Sequence, residues 1–143
     1  MTYLLDVNVL VALLDQEHVF HEATQAWFLA EGGDDWATCP ITENGFIRVL
    51  GRASYPKGPG TPAAAARLLD GVRRLAGHSF WPEELSLFSS PLVRTDAIAT
   101  AGQVTDTYLL ALAVYRNGKL ATFDRRLSTA SVDGGTSALT FIA

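Results

Sequence analysis

The sequence predicts an α/β fold with a central, mainly parallel sheet. Three observations lead there. Short apolar runs of strand length alternate with longer segments whose apolar residues recur at helical spacing. The joints between them carry Gly, Pro and Asn, the residues that chain reversal favours. The 143 residues, 48 % hydrophobic and 18 % charged, suit one folded domain over positions 1–143 rather than a disordered chain. Strands separated by helices pair in parallel, because each crossover returns the chain to the edge where it began.

Tyr3-Leu4-Leu5 reads as a buried strand ending at Asp6. Asn8 is placed to cap a helix with the stripe Val9, Leu10, Leu13 and Leu14. A second helix carries Phe20, Ala23, Trp27 and Phe28 and stops at Gly32-Gly33. Trp36 to Cys39 is a second strand, closed by Pro40, and a third helix runs from about Thr42 to Arg52. The stretch Tyr55-Pro56-Lys57-Gly58-Pro59-Gly60-Thr61-Pro62 is a loop by composition and the expected mobile element. A fourth helix presents Ala65, Leu68, Leu69, Val72 and Leu75 on one face, and His78 to Trp81 is a candidate strand. Glu83 to Thr100 is expected to hold a short helix and then another. Thr105 is placed to cap a helix reaching Arg116, ended by Asn117-Gly118. Strands at Lys119–Phe123 and Leu139–Ile142 complete the pattern.

The net charge of −4 and pI near 5.2 count against a module that holds nucleic acid by charge alone. They leave room for an enzyme that meets a phosphodiester through bound cations. The single cysteine, Cys39, forms no intramolecular disulfide and has no Cys/His cluster for zinc, so it reads as core. The apolar N-terminus lacks a basic leader and a small-residue cleavage site, and no run reaches the roughly 18 residues of a membrane span, so a cytoplasmic location is expected.

Two carboxylates sit at the head of apolar helical stripes. Counting three, four and seven positions on from Asp106 gives Leu109, Leu110 and Ala113; from Glu43 the same offsets give Phe46, Ile47 and Leu50. Asp70 is the contrast, flanked at helical spacing by Arg67, Arg73 and Arg74 on a solvated face. Asp6 and Asp124 each follow an apolar strand directly. Parallel neighbours would place both at one sheet edge, the carboxyl edge where such sheets bind ligands. Taken singly, each acid fits a helix N-terminus or a turn. Four at one edge repel one another unless a cation neutralises them, and an oxygen-only set favours Mg²⁺ or Mn²⁺ over zinc.

In these segments the chain resembles the PIN-domain family and, within it, the VapC toxins of bacterial toxin–antitoxin pairs. The matching segments are Leu5-Asp6-Val7-Asn8-Val9-Leu10, Thr42-Glu43-Asn44-Gly45-Phe46-Ile47-Arg48-Val49-Leu50, Val104-Thr105-Asp106-Thr107-Tyr108-Leu109-Leu110-Ala111-Leu112-Ala113 and Leu120-Ala121-Thr122-Phe123-Asp124. The resemblance implies a PIN-like (Rossmann-like) α/β/α sandwich and a Mg²⁺- or Mn²⁺-dependent endoribonuclease. It also implies a homodimer and a VapB-type antitoxin partner. The family's four acids fall on Asp6, Glu43, Asp106 and Asp124, and its supporting polar residues on Asn8 and Thr122. Asp6, Asp106 and Asp124 are the expected metal ligands, with Glu43 binding metal or orienting water. The least matching stretch, Tyr55 to Gln103, is expected to govern RNA choice; Asp96 within it is a candidate accessory acid, with a structural or solvent-exposed role the favoured reading.

A metal-free route through a cyclic phosphate would need general acid–base side chains, yet His18, His21 and His78 form no such set in the sequence, and His18 and His21 read as surface residues. A haloacid-dehalogenase-type phosphatase would want a second acid two residues beyond Asp6, where this chain has Asn8. No G-x-G-x-x-G follows the first strand, which counts against dinucleotide binding. A non-catalytic scaffold has no reason to tolerate four mutually repelling acids. For the antitoxin, Val9, Leu10, Leu13, Leu14, Phe20, Trp27 and Phe28 are the candidate lining of a helix-binding groove, and a partner Arg or Lys could pair with the acids.

Overall fold

A computed structural model describes all residues, Met1 to Ala143. Its elements follow the order β1 (Tyr3–Leu5), α1 (Val7–Leu14), α2 (His21–Ala30), β2 (Trp36–Thr38), α3 (Pro40–Leu50), α4 (Pro62–Arg73), β3 (His78–Phe80), α5 (Val104–Tyr115), β4 (Lys119–Thr122) and β5 (Leu139–Phe141). The five strands form one sheet in the order β3-β2-β1-β4-β5, with every pair parallel.

This order explains where the carboxyl edge becomes concave. The chain builds outward from β1 to β2 to β3, then crosses back to lay β4 on the other side of β1. Connections leaving β1 and β4 therefore diverge to opposite faces, the switch point where parallel α/β sheets bind ligands. Residue alternation along the strands shows the two faces. Leu5, Trp36 and Ala121 pack with Val9, Leu10, Phe46, Leu50, Ala65 and Leu69 beneath α1, α3 and α4. Leu4, Ala37 and Leu120 pack with Leu109, Leu110, Leu112 and Ala113 of α5. Helices on both faces make the α/β/α sandwich. The three central strands end in buried residues, Leu5, Thr38 and Thr122, whereas the edge strands end at the exposed Phe80 and Phe141, so the residues after β1 and β4 leave dry sheet directly for the carboxyl edge.

Several boundaries differ from expectation for local reasons. Asp6, not Asn8, caps α1: its side chain accepts the Val7 N–H at 2.8 Å, and Asn8 lies exposed in the first turn. α3 starts at Pro40 rather than Thr42 and ends at Leu50 rather than Arg52. Proline fits the first helical position because its missing N–H would have no partner there, and the Thr42 hydroxyl accepts the Cys39 N–H in its place. α5 opens at Val104 with Gln103 ahead of it, so Thr105 is inside the first turn and caps nothing. The stretch after β3 holds no α-helix, only single 3₁₀ turns at Thr95–Ala97 and Ala101–Gln103. Its prolines and serines supply no continuous apolar stripe to bury. Leu75 lies beyond the end of α4. Cys39 is fully buried.

One glycine sets the approach of two helices. A Cβ on Gly45 would lie 2.5 Å from Cγ2 of Val7, so α3 passes close to the start of α1 only because residue 45 has no side chain. That contact holds the segments after Asp6 and around Glu43 together.

Candidate functional site

Three of the expected acids come together at the carboxyl edge, at the switch point, close enough for their charges to interact. Asp6 follows β1, Asp124 follows β4, and Asp106 stands in the first turn of α5. α5 runs antiparallel to β4, which it precedes, so its N-terminus lies at the carboxyl edge. Asp6 and Asp124 are joined through Thr122. The Thr122 hydroxyl donates to Oδ2 of Asp6 at 3.0 Å and accepts the backbone N–H of Asp124 at 3.1 Å. One buried hydroxyl thus fixes the rotamer of one acid and the backbone of the other.

The electrostatics bear the mark of crowding. Burial first, and then the charges of Asp6 and Asp124, together push the Asp106 carboxyl up to about 6. Burial also raises Asp6, against the lowering effect of its bonds from Val7 and Thr122, with a further rise from Asp124. None of these three acids takes part in an ion pair, although seven such pairs occur in the chain. No lysine, arginine or histidine of the chain pairs directly with any of the three carboxylates.

Glu43 is handled differently. It lies one strand over, beyond β2, and its Oε2 accepts the Thr38 hydroxyl at 2.7 Å. Arg73, at the end of α4, brings Nε to 2.9 Å from the same oxygen, as an ion pair rather than an aligned hydrogen bond. Behind Thr38, Nε2 of His78 is 2.8 Å from the hydroxyl. Burial and the Arg73 cation push the His78 imidazole down from its ordinary value. Glu43 therefore sits along the same sheet edge but is tied into a separate network with Arg73. The sequence identified Arg73 only as a partner of Asp70, which it does contact at 3.5 Å. The second contact depends on α4 packing against α3, which no local spacing records.

The remaining candidates fall outside this centre. Asn8 is exposed and makes no hydrogen bond to an acid. Asp96 is exposed in a 3₁₀ turn. His18 and His21 are half-buried rather than surface residues. His21 Nδ1 lies 2.8 Å from the Ala12 carbonyl, and the His18 ring stacks near Phe123. Of the apolar residues considered for a partner groove, Val9 and Leu10 are fully buried in the core, so they fill the fold rather than line a surface.

The family model described as "PIN domain" matches residues 3–132. The chain belongs to the PIN-domain family. It is 43 % identical over 136 residues to Ribonuclease VapC44 of Mycobacterium tuberculosis, covering 95 % of each chain. It is 42 % identical over 134 residues to Ribonuclease VapC39 of the same organism, covering 94 % of this chain and 96 % of that one. With Ribonuclease VapC29, also from Mycobacterium tuberculosis, the identity is 41 % over 129 residues and 90 % of each chain. The resemblance carried by the four acidic segments thus extends over the whole PIN domain, including the middle of the chain where the motifs are sparse. No helix of this PIN domain is long and apolar enough to cross a membrane.

Proposed function

We propose that this PIN domain is a Mg²⁺- or Mn²⁺-dependent endoribonuclease, the toxin of a VapBC-type pair acting in the cytoplasm. The observation that carries the reading is the trio Asp6, Asp106 and Asp124 at the switch point, paired with no cation of the chain. The kinship with proteins named ribonucleases supports RNA as substrate.

The donor set fits a hard divalent cation: oxygen only, crowded, and with no cation of the protein paired to it. No three His, Cys, Asp or Glu side chains form a ready-made cage. A cation held by one or two carboxylates and several waters, as Mg²⁺ usually is, suits that arrangement. Asp6, Asp106 and Asp124 would hold it, directly or through its waters. When bound, such an ion lowers the pKa of a water and stabilises charge on the leaving oxygen of a phosphodiester. The chain's own contribution is positional. Thr122 fixes Asp6 and the Asp124 backbone, α5 presents Asp106 from the opposite face, and Glu43, held by Thr38 and Arg73, borders the path of the RNA or its attacking water. Hydrolysis of this type leaves a 5′-phosphate and a 3′-hydroxyl.

The decisive assay incubates purified protein with end-labelled RNA. Cleavage is expected with Mg²⁺ or Mn²⁺ and is expected to stop with excess EDTA; full activity in EDTA would overturn the metal mechanism. For the partner reading, expression of this chain alone should arrest growth of a bacterial host, and the small open reading frame beside its gene should relieve the arrest. Light scattering should give twice the 15.4 kDa chain mass. A harmless monomer that still cuts RNA would remove the toxin and dimer readings and leave the nuclease.

A further inference from the structure

A group of aromatic rings, part of it outside the core, lies beside Asp124. Phe123 sits directly before Asp124. The Phe20 ring lies against it, centroids 4.6 Å apart, and the His18 ring lies 6.2 Å away, only 23° from parallel. His18 Nδ1 accepts the Phe20 N–H at 3.0 Å, which holds the two loop residues in one arrangement. The short loop between α1 and α2 thus folds over the carboxyl end of β4 and leaves its apolar side chains in water: Phe20 is 37 % exposed and its neighbour Val19 84 %.

The other side of Asp124 supplies charge. Arg125 and Arg126 follow it, both exposed, and neither takes part in an ion pair. The Arg125 guanidinium lies over the Phe141 ring, 4.7 Å from its centroid, so it is held at the edge rather than left to wander. Phe123 packs with the α1 side of the sheet. Phe141 is two residues beyond Leu139, which packs with the α5 side, and so shares that face. An acidic centre in a chain of net charge −4 is thereby flanked by aromatic rings on one face and by free cations on the other. One exposed ring, Phe20, and the half-buried rings of His18 and Phe123, beside guanidinium groups without ion-pair partners, match the needs of single-stranded nucleic acid, whose bases stack on aromatics while its phosphates pair with arginine.

We propose that His18, Phe20 and Phe123 form a nucleobase-stacking subsite for an unpaired base of the RNA next to the scissile phosphate, with Arg125 contacting the adjoining backbone. The inference rests on the nuclease reading for its substrate class and names where on the surface one base is held. It gives the site a preference for loops and single strands, since a base within a duplex offers no free face.

The test measures binding without cleavage. A short single-stranded oligoribonucleotide carrying 2-aminopurine is titrated into the full chain in EDTA at low salt. Stacking should quench the fluorophore at one position of a label scan, and an abasic nucleotide at that position should weaken binding about tenfold. Phe20→Ala should abolish the quench and lose the same tenfold, with no further loss from the abasic RNA; Phe20→Trp should restore both. Arg125→Ala should weaken binding to every sequence and reduce the salt dependence by about one counterion. A flat abasic profile with the wild-type chain overturns the subsite without any variant, which covers the case of a Phe20→Ala protein that does not fold. Equal quenching by wild type and a folded Phe20→Ala overturns it as well. A chain that quenches but never cuts with Mg²⁺ or Mn²⁺ sinks the nuclease reading alone, and one that cuts with a flat abasic profile sinks this inference alone.

Discussion

Asp106→Asn is expected to reduce RNA cleavage by at least about a hundredfold while making the metal-free protein more stable. Loss of activity follows from removing one of three carboxylates whose charge a cation would need. Gain of stability follows from the same crowding. The Asp106 carboxyl titrates at about 6 in the folded chain instead of its ordinary 3.8. Well below 3.8 it is protonated in both folded and unfolded chains and costs nothing. As the pH rises from about 4 to about 6, the unfolded chain gives up this proton more readily than the folded one, so stability falls; above 6 the full penalty remains. Allowing for partial solvent screening, that penalty is about 1–2 kcal/mol. The asparagine variant should therefore unfold at higher urea than wild type at pH 7.5 in EDTA, and the difference should vanish near pH 3.5. Saturating Mg²⁺ should reverse the order by stabilising the wild type alone. An active variant would defeat the site assignment. An active-site loss with unchanged pH dependence of stability would mean that Asp106 is not crowded by Asp6 and Asp124.

Phe46→Ala is the opposite experiment, expected to leave the acids in place and cost about 3–5 kcal/mol of stability. Phe46 is fully buried between α3, α1 and the sheet, in the cluster that includes Val9, Leu10 and Trp36. Such a loss is a large part of the roughly 5–15 kcal/mol that holds a domain of this size together. It should appear as a much lower urea midpoint with an unchanged slope. Phe46→Leu, which keeps most of the volume, should lose much less. A small loss with Ala would show that α3 is not packed through this residue, and the position of Glu43, three residues earlier on the same face, would lose its support.

The contrast between these residues reflects what could be read from spacing. Glu43 and Phe46 share a helical face, so periodicity alone put the acid at the head of a buried stripe. Asp6 and Asp124 followed short apolar strands, and the alternation of elements made those strands parallel; that β1 and β4 are neighbours is what the sheet order added. Cys39 was legible as core from its apolar neighbours. The errors were also local. Asn8 and Thr105 have capping side chains, yet Asp6 took the first cap and 3₁₀ turns led into α5 without one. Capping propensity ranks residues but cannot choose between two candidates a residue or two apart.

By itself, the sequence determined the alternating strands and helices, the apolar stripes, two acids at the heads of stripes and two directly after strands, because side-chain periodicity and turn chemistry act over a few residues. The tertiary structure decided which of those groups meet. The Thr122–Asp6 hydrogen bond spans 116 positions. The division of the acids into a free trio and a Glu43 tied to Arg73 depends on how α4 lies against α3, and the aromatic group joins a loop near residue 20 to the end of β4. Such contacts are fixed by the summed packing of the sheet and both helical layers, and no interval along the chain encodes them.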